Sequence, residues 1–248
     1  MEPLIVMKTE GAVGELILNQ PESHNSLTLR FLEAIAAALD DIAKGGDIHV
    51  LMFTAKGRSF STGFSLGDFA QHRNDLEIYL SRLTELLNKV VLQIISLPVP
   101  IIAVVHDVVS DGALGLVLAG DIVLVAPQAS FIPFDNLNGI SPIGGWTALL
   151  PEIIGRKRAA EALMRNKPIS ASLALKWGLA NALISGDHVH KKAKKIAREI
   201  AKKDAGILRS SKRLLWHDIE ELARRLEEER REFLEGLPKE RLLKDIEK

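Results

Sequence analysis

Cysteine is absent from this 248-residue chain, which excludes disulfides, thiolate zinc sites and cysteine nucleophiles together. An excess of either charge is absent too. Lys plus Arg and Asp plus Glu stand at 32 each, so the charge balance gives no reason to expect a nucleic acid or a membrane surface as partner. No charge-free apolar run of about 18 residues occurs. The N-terminus lacks the basic-then-apolar pattern of a signal peptide, and a soluble cytoplasmic protein is the expectation. No fixed-period repeat is visible, and the glycine-containing stretches are not a P-loop, for no Gly-Lys-Ser/Thr follows them. Apolar residues, in contrast, make up 47% of the chain, enough at this length for one large domain or for a main domain with an appendage.

Residues 99 to 125 organise the rest. Ile101 to Val105 is apolar and largely β-branched, the pattern of a strand buried on both faces. A polar break follows at His106, Asp107, Ser110 and Asp111. Gly112 then opens a short apolar helix that stops at Gly120, and Asp121 leads into a second buried strand, Ile122 to Val125. Such a turn leaves backbone N–H groups free at one interior point, and those donors with the positive helix end suit an anionic oxygen. A plain strand–helix–strand crossover without a ligand has the same pattern.

Upstream, Leu4 to Thr9 and Val13 to Leu18 flank Glu10-Gly11 as a hairpin. Ser26 or Thr28 can cap a helix whose apolar side is Leu29, Leu32, Ile35, Leu39 and Ile42. Ile48 to Thr54 is a strand, Ala55 to Phe69 a loop, and Leu76 to Ile95 an amphipathic helix. Downstream, Ser130 to Ile132 is a short strand and Pro133 to Gly145 irregular. Helices follow over Trp146 to Ile154, Lys157 to Arg165 and Ala171 to Trp177, with a strand near Ala182 to Ile184. From Val189 onward the sequence is charged and helical. The pattern predicts an α/β core, residues 1–187, with an α-helical C-terminal extension, residues 188–248.

Several segments in unbroken order together resemble the crotonase (enoyl-CoA hydratase/isomerase) family. Asn19-Gln20-Pro21 with Asn25-Ser26-Leu27 is similar to its first CoA-contacting loop, and Gly57 to Leu66 (GRSFSTGFSL) to the loop that supplies one oxyanion donor. Pro100 through Ile122 is similar to the strand and helix that supply the second. Pro168-Ile169-Ser170-Ala171, with Ala174 and Trp177-Gly178-Leu179-Ala180, is similar to a later signature. The resemblance implies a crotonase-like spiral of ββα units, with the helical tail covering the core or a neighbouring subunit in a homotrimer or hexamer. It implies acyl-CoA as substrate, so that coenzyme A arrives with the substrate and no separate cofactor or metal is needed. By position, the Phe64 and Gly112 N–H groups would hold the thioester oxygen and the enolate formed from it. Loss of one such donor costs about 3 kcal/mol of barrier. Ser23, His24, Ser61, Ser65 and Leu66 fall on the implied CoA and substrate contacts. Lys56, Arg58, Lys212 and Arg213 are candidates to meet the CoA phosphates, although on the tail a charged residue also fits a solvated face.

The carboxylates depart from the family pattern. Hydration by this family uses two glutamates. The first position falls on Gly115, the second on Asp135, and a third acidic position used by some isomerases falls on Ile143. Asp135 is therefore the candidate for proton transfer, against a reading in which it caps a turn. Asp111, where the family more often has glycine, reads either as a helix N-cap or as a relocated acid/base with a raised pKa. His106 reads as a hydrogen-bonded structural histidine or a base. His188 and His190 are spaced wrongly for one helical face and give no metal site. The expectation is an acyl-CoA enzyme working with one base, by double-bond isomerisation, cleavage or hydrolysis. The alternative is a homologue that has lost catalysis and binds acyl-CoA or a protein partner without turnover. A nucleic-acid-binding use of the fold is disfavoured by the charge balance.

Overall fold

The computed structural model describes residues 2–133, 141–185, 188–238 and 242. Its first two strands, β1 (Ile5–Glu10) and β2 (Val13–Leu18), form the expected hairpin with Glu10 opposite Val13. Thr28, rather than Ser26, caps α1 (Leu29–Gly45): its hydroxyl accepts the Phe31 N–H at 3.1 Å, and Leu32, Ile35, Leu39 and Ile42 are buried at helical spacing. β3 (Val50–Ala55) runs parallel to β2. The stretch read as a loop to Phe69 holds a short helix, α2 (Leu66–Gln71), because Ser65 Oγ accepts the Asp68 N–H at 3.1 Å and starts it. α3 (Leu76–Ser96) buries Leu80, Leu83, Leu87, Val90 and Ile94.

The organising stretch becomes β4 (Ile101–Val105), β5 (Val108–Ser110), a single 3-10 turn over Asp111–Ala113, α4 (Leu114–Leu118) and β6 (Ile122–Val125). β7 (Ser130–Ile132) follows, then α5 (Leu150–Ile154), α6 (Arg156–Met164), β8 (Ile169–Ser170), α7 (Ala171–Trp177) and β9 (Ala182–Leu183). The helix expected from Trp146 begins only at Leu150, because the Leu149 and Leu150 N–H groups both donate to Gly145 O and hold a turn there.

One sheet has the order β1-β2-β3-β4-β6-β9 and a second, small sheet has the order β5-β7-β8. In β4 the alternation of side chains decides the layering. Ile101, Ala103 and Val105 face the main core with α1 and α3, while Ile102 and Val104 face a second layer. That second layer is closed by α8 (His188–Ala201) through Val189, Ala193 and Ala197. On the same face the His190 ring approaches Glu15 Oε1 at 2.7 Å, and the Thr54 hydroxyl donates to the same oxygen at 3.0 Å. This is the spiral of ββα units with C-terminal helices that the resemblance implies.

The tail continues as α9 (Ala205–Leu215) and α10 (Ile219–Glu235). Lys212 does not reach out toward a phosphate. It is 4% exposed, donates to Ile94 O at 3.0 Å and Val99 O at 3.1 Å, and pairs with Asp121 at 3.0 Å. Burial lowers its pKa and Asp121 opposes that shift. The ammonium thus fastens α9 to the end of α3 and the start of β4, and Arg213 beside it is exposed. Replacing Lys212 by methionine, which takes the cation from Asp121 and a buried donor from the Ile94 and Val99 carbonyls, is expected to lower stability by about 3 kcal/mol. A urea unfolding curve checks this, and an unshifted midpoint would refute the fastening role. α10 lies along α3, with Asn88 Nδ2 donating to Leu226 O at 3.0 Å.

Candidate active site

The loop carrying Phe64 is sewn to the core on both sides. On one side the Leu27 N–H donates to Gly63 O at 2.7 Å and the Thr62 N–H to His24 O at 3.2 Å. On the other the Ser61 N–H donates to Val108 O and the Ser110 N–H to Ser61 O, both at 3.1 Å. Ser61 Oγ, fully buried, donates to Asn25 O at 2.7 Å, and Ser110 Oγ donates to Thr62 O at 2.8 Å. Asn25 closes the seam by donating to Lys56 O and Ser59 O. Ser61, expected at the ligand, is therefore committed to the scaffold. Ser65 is committed as the cap of α2.

This seam brings the Phe64 N–H against the turn at residues 111–113. Asp111 Oδ2 accepts the Phe64 N–H at 3.3 Å, and the Gly112 N–H acts on the same carboxyl. Of the two donors expected to face a thioester oxygen, the Phe64 N–H is thus taken by an internal carboxyl, and that carboxyl belongs to the neighbour of the second, Gly112. Asp111 is not the helix N-cap. Ser110 holds that position without a side-chain bond to the turn, and Asp111 is the first turn residue, at φ 53. An N-cap needs an extended backbone, whereas this left-handed conformation directs the carboxyl back over its own turn toward Phe64. Gly63, at φ 74, is what permits the approach: a Cβ there would lie 2.6 Å from Asp111 Cβ and 2.7 Å from Ser110 O.

Burial pushes the Asp111 carboxyl up to about 7, and the Phe64 and Gly112 N–H groups hold it down in part. The acid/base reading of Asp111 gains the raised pKa that it requires. In the observed conformation, however, the carboxyl occupies the Phe64 N–H and cannot serve a substrate bound to the same donor.

Above the turn lies the segment 144–147. Gly144, at φ 81, packs directly on Gly112, so that a Cβ at 144 would lie 2.5 Å from Gly112 O. Trp146 is fully buried, and its indole N–H donates to Asp111 O at 3.0 Å. The Phe64 ring closes the side, 6.0 Å from both Phe69 and Phe233. The same segment explains the missing acid at 115: a Cβ on Gly115 would lie 2.7 Å from Gly144 O and 2.9 Å from Val91 Cγ2. Ile143 is fully buried in the core. Asp135 lies outside the described residues.

The remaining candidates are placed as follows. Ser23 and His24 are exposed beside the Phe64 loop, His24 Nδ1 lying 3.2 Å from Ser59 Oγ, and Leu66 is exposed on α2. Lys56 and Arg58 are exposed on the same side of the sequence motif. His106 Nε2 lies 3.0 Å from Gly57 O, the structural role expected of it. A groove of about 720 Å³ between β1 and α1, lined in part by Ile5, Met7, Ala38 and Ile42, involves none of these residues.

Sequence reasoning missed Glu229. It is buried, and its two carboxylate oxygens accept the Gly145 N–H at 2.7 Å and the Thr147 N–H at 2.8 Å. The signal was available: Leu222, Leu226, Glu229 and Phe233 all fall on the buried stripe of α10, so a glutamate there has to find donors inside the protein.

Comparison with known proteins agrees with the fold. The family model described as enoyl-CoA hydratase/isomerase matches residues 8–243. The chain is 31% identical over 209 residues to the 1,2-epoxyphenylacetyl-CoA isomerase of Escherichia coli, covering 81% of this chain and 77% of that protein. It is 30% identical over 216 residues to the probable peroxisomal enoyl-CoA hydratase 1 of Arabidopsis thaliana, covering 84% and 76%. Among solved structures, the enoyl-CoA hydratase from Bacillus halodurans superposes with a TM-score of 0.88 at 24% identity, covering 98% of this chain and 99% of that one. The chain belongs to the enoyl-CoA hydratase/isomerase (crotonase) family.

Proposed function

We propose that this protein acts on acyl-CoA thioesters through an enolate held by the Phe64 and Gly112 N–H groups, with Asp135 as the single base. The observation that carries the reading is the Phe64 N–H, from a loop far away in sequence, held on the Asp111 carboxyl directly beside Gly112, whose N–H also favours the charge of that carboxyl. A donor that holds a carboxyl oxygen has the polarity to hold a thioester oxygen as it becomes negative. Gly115 and Ile143 supply no carboxylate, which favours a one-base isomerisation over two-glutamate hydration. In that reaction the Asp135 carboxylate removes a proton from the α-carbon of a 3-enoyl thioester. The electron pair moves onto the thioester oxygen as a dienolate, and the same carboxyl returns the proton at the γ-carbon. No proton is gained or lost overall. Ser23, His24 and Leu66, on the accessible side of the sewn loops, are the candidates for contacts to CoA.

Replacing Asp135 by asparagine is expected to lower 3-enoyl-CoA isomerisation by about 10³-fold, while CoA-thioester binding measured by calorimetry stays within a few-fold. Equal rates in the two proteins would remove Asp135 from the mechanism. One observation favours a second reading: the Phe64 donor is already occupied by Asp111. Under that reading acyl-CoA binds without turnover, and the outcome that selects it is measurable binding with no isomerisation, hydration or hydrolysis at any chain length.

A further inference from the structure

We infer that Glu229, on the tail helix α10, is a positioning residue that holds the 144–147 segment shut over the donor pair. The argument starts from its bonding. Both oxygens of a buried side chain accept from one short segment: Oε2 from the Gly145 N–H at 2.7 Å, and Oε1 from the Thr147 N–H at 2.8 Å and the Thr147 hydroxyl at 2.9 Å. These three donors flank Trp146 on either side, so they fix its backbone and with it the indole that donates to Asp111 O. Arg225, one turn earlier on α10, adds a fourth tie by donating to Thr147 O at 3.0 Å while pairing with Glu152. The segment so held presses Gly144 onto Gly112. A chain of contacts therefore runs from α10 through Gly145 and Thr147 to Trp146, then to Asp111 and the Phe64 N–H.

A carboxylate suits this place because it offers only acceptors to a segment that presents only donors. Glutamine has the same shape but turns an NH2 toward one of those N–H groups, which sets donor against donor and pushes the segment away. Glu229 is not itself near the reacting atoms. Its effect on them passes through Trp146 and Gly144, which makes the position of α10 a determinant of access to the donor pair. The inference concerns the closed arrangement of the protein and rests on the thioester reading only for its consequence in turnover.

The test is an amide spectrum of the uniformly 15N-labelled, full-length protein without substrate, comparing wild type, Glu229→Gln, the milder Thr147→Val, and Leu226→Ala. Leu226→Ala empties a fully buried site on the same helix and so weakens the docking of α10 without touching the segment. The expected result is that Glu229→Gln shifts the Phe64 and Gly112 amide resonances and speeds solvent exchange of the Trp146 indole proton severalfold. Thr147→Val should do the same to a smaller extent, and Leu226→Ala should leave these three signals in place although its melting temperature falls. The inference is overturned if Glu229→Gln and Thr147→Val leave the Phe64, Gly112 and Trp146 signals unmoved. It is equally overturned if Leu226→Ala moves them as far as Glu229→Gln does. Since no arm uses a thioester, absence of turnover in the wild type would bear on the proposed reaction and not on this result.

Discussion

Asp111→Gly is expected to raise kcat/KM for an acyl-CoA thioester about tenfold over wild type. The carboxyl sits on the Phe64 N–H, and a thioester oxygen must displace it to reach that donor. One hydrogen bond to a carboxyl, at about 1.5 kcal/mol, sets a displacement cost of that size, which is one power of ten in rate. Glycine adopts the φ of 53 without strain, so the turn keeps its shape while the Phe64 N–H is freed. Asp111→Asn is the informative companion, because its amide oxygen still accepts from the Phe64 N–H and the gain should be largely lost. Steady-state kinetics on a 3-enoyl-CoA reads both variants. A fall in rate with Asp111→Gly would show instead that the carboxyl carries a proton in the reaction, and an unchanged rate would show that the thioester does not use this donor.

The second large effect is on stability as a function of pH. The folded carboxyl titrates at about 7 against an ordinary value of 3.8, with burial as the main cause. A raised value means that the folded state binds the proton more tightly than the unfolded chain. Its contribution is therefore full below about pH 4 and is lost as pH rises through about 7. Between those limits unfolding becomes easier by up to about 1.4 kcal/mol per pH unit, on the order of 4 kcal/mol in all. Asp111→Asn removes the titration, so the difference in unfolding free energy between variant and wild type should swing by that amount in favour of the variant from pH 4 to pH 7.5. Urea unfolding at a series of pH values measures it, and parallel curves for the two proteins would refute the buried, ionisable state of Asp111.

The family was legible in the sequence because it depends on order and spacing along the chain. The loop at 57–66, the strand at 101–105 and the glycine at 112 each carry a local pattern, and the fold brings them together as the resemblance implies. The N-cap reading of Asp111 failed for a physical reason. An aspartate ahead of a helix start has the signature of an N-cap, and only its backbone angle, held by packing of Gly63 and Trp146 around it, turns the side chain the other way. Lys212 was read as a candidate for the CoA phosphates or as part of a solvated face because its neighbours in sequence are charged, yet its acceptors lie 118 and 113 residues away. The short helix over Leu66–Gln71 escaped notice because six residues are too few to show a period, leaving the Ser65 cap as its one local sign. For Asp111 and Lys212, what stayed hidden was a contact distant along the chain.

The bond between Gly145 and Glu229 spans 84 residues, and that separation has a meaning for synthesis. A chain made from its N-terminus exposes the donor segments to folding well before the helix bearing Glu229 leaves the ribosome. The nascent core, with its sheet already paired, therefore waits without the carboxylate that fixes Trp146. Completion of the centre is deferred until the helix bearing Glu229 is made, and a polypeptide stopped before it carries the two amides without the roof that orders them.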